Sequence, residues 1–222
     1  MEEKKKTNLL TTLILILGGI ALVGAICLIV ISPVNKEKRN TLKLNEWFSF
    51  AQAYKVRVED PEIVETQDKN VTPEGVDTGG VSLEITVIGK KEGTTKVTYS
   101  VVNDLNETLY SKEYTVTVDK NLKVTKDSVV SVAKFREGHI LTRTHKISTD
   151  NDDVVSISEE QVDQGEIDTG GALYEFTITA KKSGDAHIIL EIFDAEGHVE
   201  TMKKYQVDIS EDMTMSLYEI EE

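Results

Sequence analysis

Apolar and polar residues alternate with period two along several stretches of the chain. Leu83, Ile85 and Val87 are interleaved with Glu84, Thr86 and Ile88; Val97, Tyr99 and Val101 come next, then Tyr114, Val116 and Val118. Successive side chains of a strand point to opposite faces, so this alternation predicts half-buried antiparallel strands with one face on a core. The pattern returns further along as Tyr174, Phe176 and Ile178, as Ile188, Leu190 and Ile192, and as Tyr205, Val207 and Ile209. Turn signals separate the runs: Gly79-Gly80, Gly93 and Asn103-Asp104 in the first set, Gly170-Gly171, Gly184 and Glu196-Gly197 in the second.

The two sets are one pattern repeated at an offset of 91 residues (174 − 83). Without a gap, DPEIV (60–64) falls on NDDVV (151–155), KKEG (90–93) on KKSG (181–184), and Tyr114 on Tyr205. A period this long marks a duplicated domain, since solenoid units are shorter. Short strands at this spacing, with no helical pattern after the N-terminal segment, predict one β-sandwich per copy.

One segment breaks the pattern. Residues 9–31 carry no charge over 23 positions. At about 1.5 Å rise per residue they reach roughly 34 Å, enough to cross a hydrocarbon core of about 30 Å. The run is longer than a signal-peptide core, and Pro33 follows the only small-residue cleavage point, Ser32. An uncleaved single-pass anchor is predicted. Lys4, Lys5 and Lys6 before it balance Lys36, Lys38 and Arg39 after it, so charge counting does not orient it. A signal anchor translocates the chain on its C-terminal side, which places the C-terminal domains outside the cell membrane. Ala21 and Ala25, with Gly18 and Gly24 nearby, have the small-residue spacing that suits pairing of two anchor helices into a homodimer.

The predicted order is thus a short cytoplasmic N-terminus (1–8), a transmembrane helix (9–31), a linker (32–40), two sandwich domains (41–121 and 122–212) and an acidic tail (213–222). The tail either adds an edge strand through Met213, Met215 and Leu217 or has no order.

Charge and cysteine content narrow the chemistry. Residues 40–222 hold 19 basic against 36 acidic residues, a net of −17. Such a surface is unsuited to nucleic acid or anionic lipid, both of which require basic patches. Cys27, the only cysteine, lies within the apolar run, so the soluble part has no disulfide and no thiolate metal site.

Each copy carries three linked signatures. They are a Val-Val or Ile-Val strand beside Asp/Asn (DDVVSIS, DPEIVET), a KxxG turn leading into a Val/Ile-alternating strand (ITAKKSGDAHIILEI, VIGKKEGTTKVTYSV), and a closing strand (YQVDIS, YTVTVD). In these each copy resembles a bacterial immunoglobulin-like domain. The fold class implied is all-β: two tandem immunoglobulin-like β-sandwiches after a single transmembrane helix. The strand order and glycine pair are also similar to the chagasin-like inhibitors of cysteine proteases. Of that family's three inhibitory loops only the Gly-Gly pair matches. No Asn-Pro-Thr-Thr-Gly occurs, and Val101-Val102-Asn103 and Ile192-Phe193-Asp194 stand where Arg-Pro-Trp would fall.

The sequence DTGG occurs twice, as Asp77-Thr78-Gly79-Gly80 and Asp168-Thr169-Gly170-Gly171. Aspartic proteases carry one Asp-Thr-Gly in each of two lobes, with carboxylates close enough to share a proton. Here Ile85-Thr86-Val87-Ile88-Gly89 follows the first motif too soon for a flap hairpin, and Ala180 replaces the glycine in the second copy. A turn explains the motif better: Asp bonds the backbone two residues on and Gly supplies positive φ. The eight residues are kept as candidate binding loops, with no catalytic residue assigned.

No metal or cofactor is expected. The acidic stretches at 149–153 and 163–168 are oxygen-rich but fit no EF-hand spacing. His139 and His145, read as one strand, would stand about 20 Å apart, too far to share an ion. Trp47 is expected in the core against Phe48 or Phe50. The function that emerges is a non-enzymatic, membrane-anchored surface protein that binds an unidentified protein partner or acts as a spacer. The alternatives are a chagasin-like inhibitor and, second, a membrane-tethered aspartic protease using the two DTGG stretches.

Overall fold

A computed structural model of the chain describes residues 40–75, 79–162 and 170–220. The predicted anchor at 9–31 lies outside the described residues, as do the linker up to residue 39 and the motif residues Asp77, Thr78, Asp168 and Thr169. Among the described residues no helix is long and apolar enough to cross a membrane.

The described chain is all-β. Its strands are β1 (Thr41–Ser49), β2 (Ala53–Val58), β3 (Val64–Asn70), β4 (Gly80–Gly89), β5 (Gly93–Val102), β6 (Thr108–Val118), β7 (Val124–Ile140), β8 (Thr144–Thr149), β9 (Val155–Val162), β10 (Gly171–Ala180), β11 (Gly184–Phe193), β12 (Val199–Ile209) and β13 (Met215–Ile220). They form three antiparallel sheets, ordered β1-β4-β3, β2-β5-β6-β7-β10-β9 and β13-β12-β11-β8. The duplication is visible in the bounds: β2, β4, β5 and β6 reappear 91 residues on as β8, β10, β11 and β12.

Each copy stacks a three-stranded layer on a four-stranded one. In the first, Leu83, Ile85 and Val87 of β4 meet Val97, Tyr99, Tyr114, Val116 and Val118 of β5 and β6. In the second, Phe176 and Ile178 meet Ile188, Leu190, Tyr205, Val207 and Ile209. All are buried, so the inward residues are those the period-two alternation selects.

Strand β7 belongs to both copies. Its first part pairs with β6, from Val118↔Val124 to Tyr110↔Ala133. Its last part pairs with β10, from Thr179↔Val132 to Gly171↔Ile140. Residues 124–137 contain neither Gly nor Pro, so nothing interrupts the strand as it leaves one copy and enters the next. The division expected at 121/122 falls just ahead of β7, whose first half completes the four-stranded layer of copy one. The tail segment Met215–Ile220 fills the same place in copy two, pairing with β12 as the edge strand β13.

Candidate functional site

Both glycine pairs sit at a corner next to the end of their own copy's first strand. Gly79 and Gly170 have φ of 67° and 65°, the left-handed conformation the turn reading requires. The Phe50 N–H donates to the Gly79 carbonyl at 3.4 Å, and the Leu141 N–H donates to the Gly170 carbonyl at 3.4 Å. Gly80 then opens β4 opposite Ser49, and Gly171 opens β10 opposite Ile140.

At Gly80 the backbone approach is close. A Cβ there would strike the Phe48 carbonyl oxygen and stand 2.5 Å from the Trp47 ring. Trp47 lies over this glycine and is 50% exposed, which corrects the expectation that it is a core residue. The reason is phase: Leu44, Glu46 and Phe48 of β1 are buried, and Trp47 falls on the opposite face.

Trp47 stands at the rim of a cleft of about 840 Å³ between the two copies. One wall is β1 with Trp47 and Phe48; the other is β13 with Met215, Leu217 and Tyr218. Leu109, Tyr110, Phe135 and Tyr205 line it between these walls. Tyr110 packs against both cores, so it sits where the copies join.

Under one side of the cleft is a buried polar network. Glu46 and Lys112 occupy inward positions of β1 and β6, with Lys112 only 1% exposed. The Tyr114 hydroxyl donates to Glu46 Oε1. Lys112 Nζ lies 3.7 Å from Glu46 Oε1, donates to Thr214 Oγ1 at 2.8 Å, and pairs with Asp212 Oδ2 at 3.2 Å. Asp212 and Thr214 belong to the β12–β13 turn of copy two, so the network ties one copy to the other. The Ser131 hydroxyl adds a bond to the Met213 carbonyl in the same turn.

The Glu–Lys–Tyr part of the network is duplicated, in a more exposed setting. Glu137, Lys203 and Tyr205 stand 91 residues after Glu46, Lys112 and Tyr114. Lys203 pairs with Glu137, and the Tyr205 hydroxyl donates to Glu137 Oε1 at 3.0 Å. Sequence reasoning passed over these residues. The signal was present: a charged residue in phase with apolar neighbours, preserved at both ends of the 91-residue offset.

Burial pushes the Glu46 carboxyl up to about 7, against the opposing pull of Lys112. Asp212 is held well below the usual carboxylate range by the Ser210 hydroxyl first, and by Lys112 and Thr214. A carboxyl raised in the folded state binds its proton more tightly there than in the unfolded chain. The Glu46 contribution to stability therefore falls as pH rises from the ordinary glutamate value of 4.5 to about 7, then levels off. Glu46→Gln should remove this slope, worth about 3 kcal/mol between pH 4.5 and 8. Denaturant titrations of both proteins across that range check it, and equal slopes would refute it.

The histidines are arranged differently from the sequence expectation. His139 and His145 are not on one extended strand: the chain turns at 141–143, and His139 Nε2 comes within 2.9 Å of His145 Nδ1. His187 Nδ1 pairs instead with Asp150 at 2.8 Å, and the Asp150 carboxylate also accepts the His187 N–H, which accounts for that part of the acidic stretch at 149–153. Asp194, Glu196 and His198 cluster on the exposed β11–β12 turn, where Asp194 caps the N–H groups of Glu196 and His198.

No family model matches the chain, and neither does any curated protein. Among solved structures, the Streptococcus agalactiae AgI/II polypeptide BspA C-terminal domain aligns over 76% of this chain and 83% of its own, at 10% identity and a TM-score of 0.13. That score is too low to support any argument about fold or role.

Proposed function

We propose that this chain is a non-enzymatic, membrane-anchored surface protein whose two immunoglobulin-like sandwiches present the cleft between them to a protein partner. The single observation behind this reading is the cleft itself, with a half-exposed Trp47 at its rim and apolar and aromatic walls. Exposed large aromatics beside a concave apolar surface are the usual anchors of protein recognition. The shared strand β7 supports it further. A continuous strand resists bending between the copies, so the walls are held in place before binding and less ordering entropy is lost. The strong negative charge of residues 40–222 selects for a partner segment that is basic around an apolar anchor side chain.

The apolar run at 9–31 supports attachment to the membrane, with the sandwiches outside. A photo-crosslinking residue in place of Trp47, in the full-length protein on intact cells, should yield a covalent protein adduct on irradiation. The same residue at Lys55, on the edge strand β2, should not. Equal yields at the two positions, or none at either, would overturn the cleft as the binding surface.

A further inference from the structure

The second copy departs from the first at one pair of facing rings. In copy one, Phe48 and Tyr54 pack with ring centroids 4.9 Å apart, and the Tyr54 hydroxyl donates to the Asp68 carboxylate. The equivalent positions, 91 residues on, are His139, His145 and Glu159. The ring contact is kept, at 5.1 Å between centroids, and so is the carboxylate, with Glu159 Oε2 at 3.2 Å from His145 Nε2. The first copy shows that two carbocyclic rings and an acid satisfy the packing of this corner. Changing both rings to imidazole adds nitrogen donors and little else.

The nitrogens are oriented in a way that packing alone does not require. The carboxylate of Glu159 can only accept, so His145 carries its proton on Nε2. The Ile140 carbonyl lies 3.1 Å from His139 Nδ1, which places the His139 proton there. Two neutral rings held this way present His139 Nε2 and His145 Nδ1 to each other as lone pairs 2.9 Å apart. That arrangement is repulsive unless a positive centre sits between them. Two nitrogens bound to one metal at about 2.0–2.1 Å, with an angle between square and tetrahedral, are roughly 2.9–3.4 Å apart. A carboxylate on the far nitrogen of a ligating histidine is the usual outer support of such a site.

We infer that His139 and His145 chelate a divalent transition ion of the imidazole-preferring group, such as Zn²⁺, Ni²⁺ or Cu²⁺, with Glu159 orienting His145. Softness favours these ions over Mg²⁺ or Ca²⁺, which take oxygen ligands. The rings are fixed in advance. Tyr174 stacks on His139 at 5.3 Å and Phe176 meets His145 edge-on at 5.4 Å, while the His145 side chain is only 8% exposed. His139 lies opposite Ala172 in one layer and His145 opposite Ile192 in the other. The ion therefore bridges the two layers of copy two beside the β7–β8 turn, and water completes its coordination.

The test is calorimetric titration of the full-length protein with ZnCl₂ at pH 7.5. One ion should bind per chain at this site, and thermal unfolding should shift upward. Glu159→Gln should weaken binding about tenfold or more. The double variant His139→Phe, His145→Tyr restores the ring pair that copy one already folds with, and it should lose the site while keeping the fold. His198→Gln, which removes the exposed turn cluster, should leave the affinity unchanged. Zn²⁺ binding as tight in the double variant as in the unmodified chain overturns the inference, as does no binding at all. A proton shared between the rings would show itself in that second way.

Discussion

Replacing Lys112 by Met should destabilise the full-length protein by about 3–5 kcal/mol at pH 8, the range for removing one partner of a buried ion pair. Lys112 is almost fully enclosed and is the cation beside Glu46, whose carboxyl is itself buried. Without it, Glu46 must either stay charged in a poorly solvated site or take up a proton. Because the Glu46 carboxyl is already raised to about 7, protonation is easy in acid, so the loss should shrink toward pH 5. The substitution also removes the bonds to Asp212 and Thr214, which hold the β12–β13 turn of copy two against copy one. Adding Glu46→Gln to Lys112→Met should recover part of the loss at pH 8. Chemical denaturation at both pH values measures this. A cost under about 1 kcal/mol at pH 8, the range of an exposed pair, would mean the network contributes little.

The second large effect is expected at Gly80. Alanine there should cost about 3 kcal/mol, at the upper end for inserting atoms into a packed site. Its Cβ would collide with the Phe48 carbonyl, a backbone atom in the β1–β4 ladder that cannot rotate away, and with the Trp47 ring. The equivalent change at Gly171 meets nothing nearer than the His139 carbonyl oxygen, at 3.0 Å, and should cost about 1 kcal/mol. Gly79 and Gly170 have open space around the missing Cβ but positive φ, so alanine at either should cost roughly 1–2 kcal/mol. Thermal or denaturant unfolding of the four single variants ranks them. Equal losses at Gly80 and Gly171 would show that the shared motif, and not the Trp47 contact, sets the requirement.

Much of the fold was legible because alternation at period two is a direct consequence of strand geometry. The inward residues of β4, β5 and β6 and of their duplicates could be named from the sequence. The same logic, carried one step further, places Trp47 outward and Glu46 and Lys112 inward. A general preference for burying tryptophan and exposing charge obscured that step, although phase along the strand is the stronger signal.

The sequence by itself determined the all-β class of the described residues and the glycine turns, which are set by residues close together in the chain, and the duplication at 91 residues, which is read by laying the sequence on itself. Tertiary structure alone decided that β7 serves both copies, that Asp212 closes over Lys112, and that β7 and β8 part into different layers at the turn between His139 and His145. Periodicity tells a side chain which face to occupy but not which distant strand will stand opposite. That choice depends on pairings between segments far apart in sequence, whose contacts exist only once the sheets have formed.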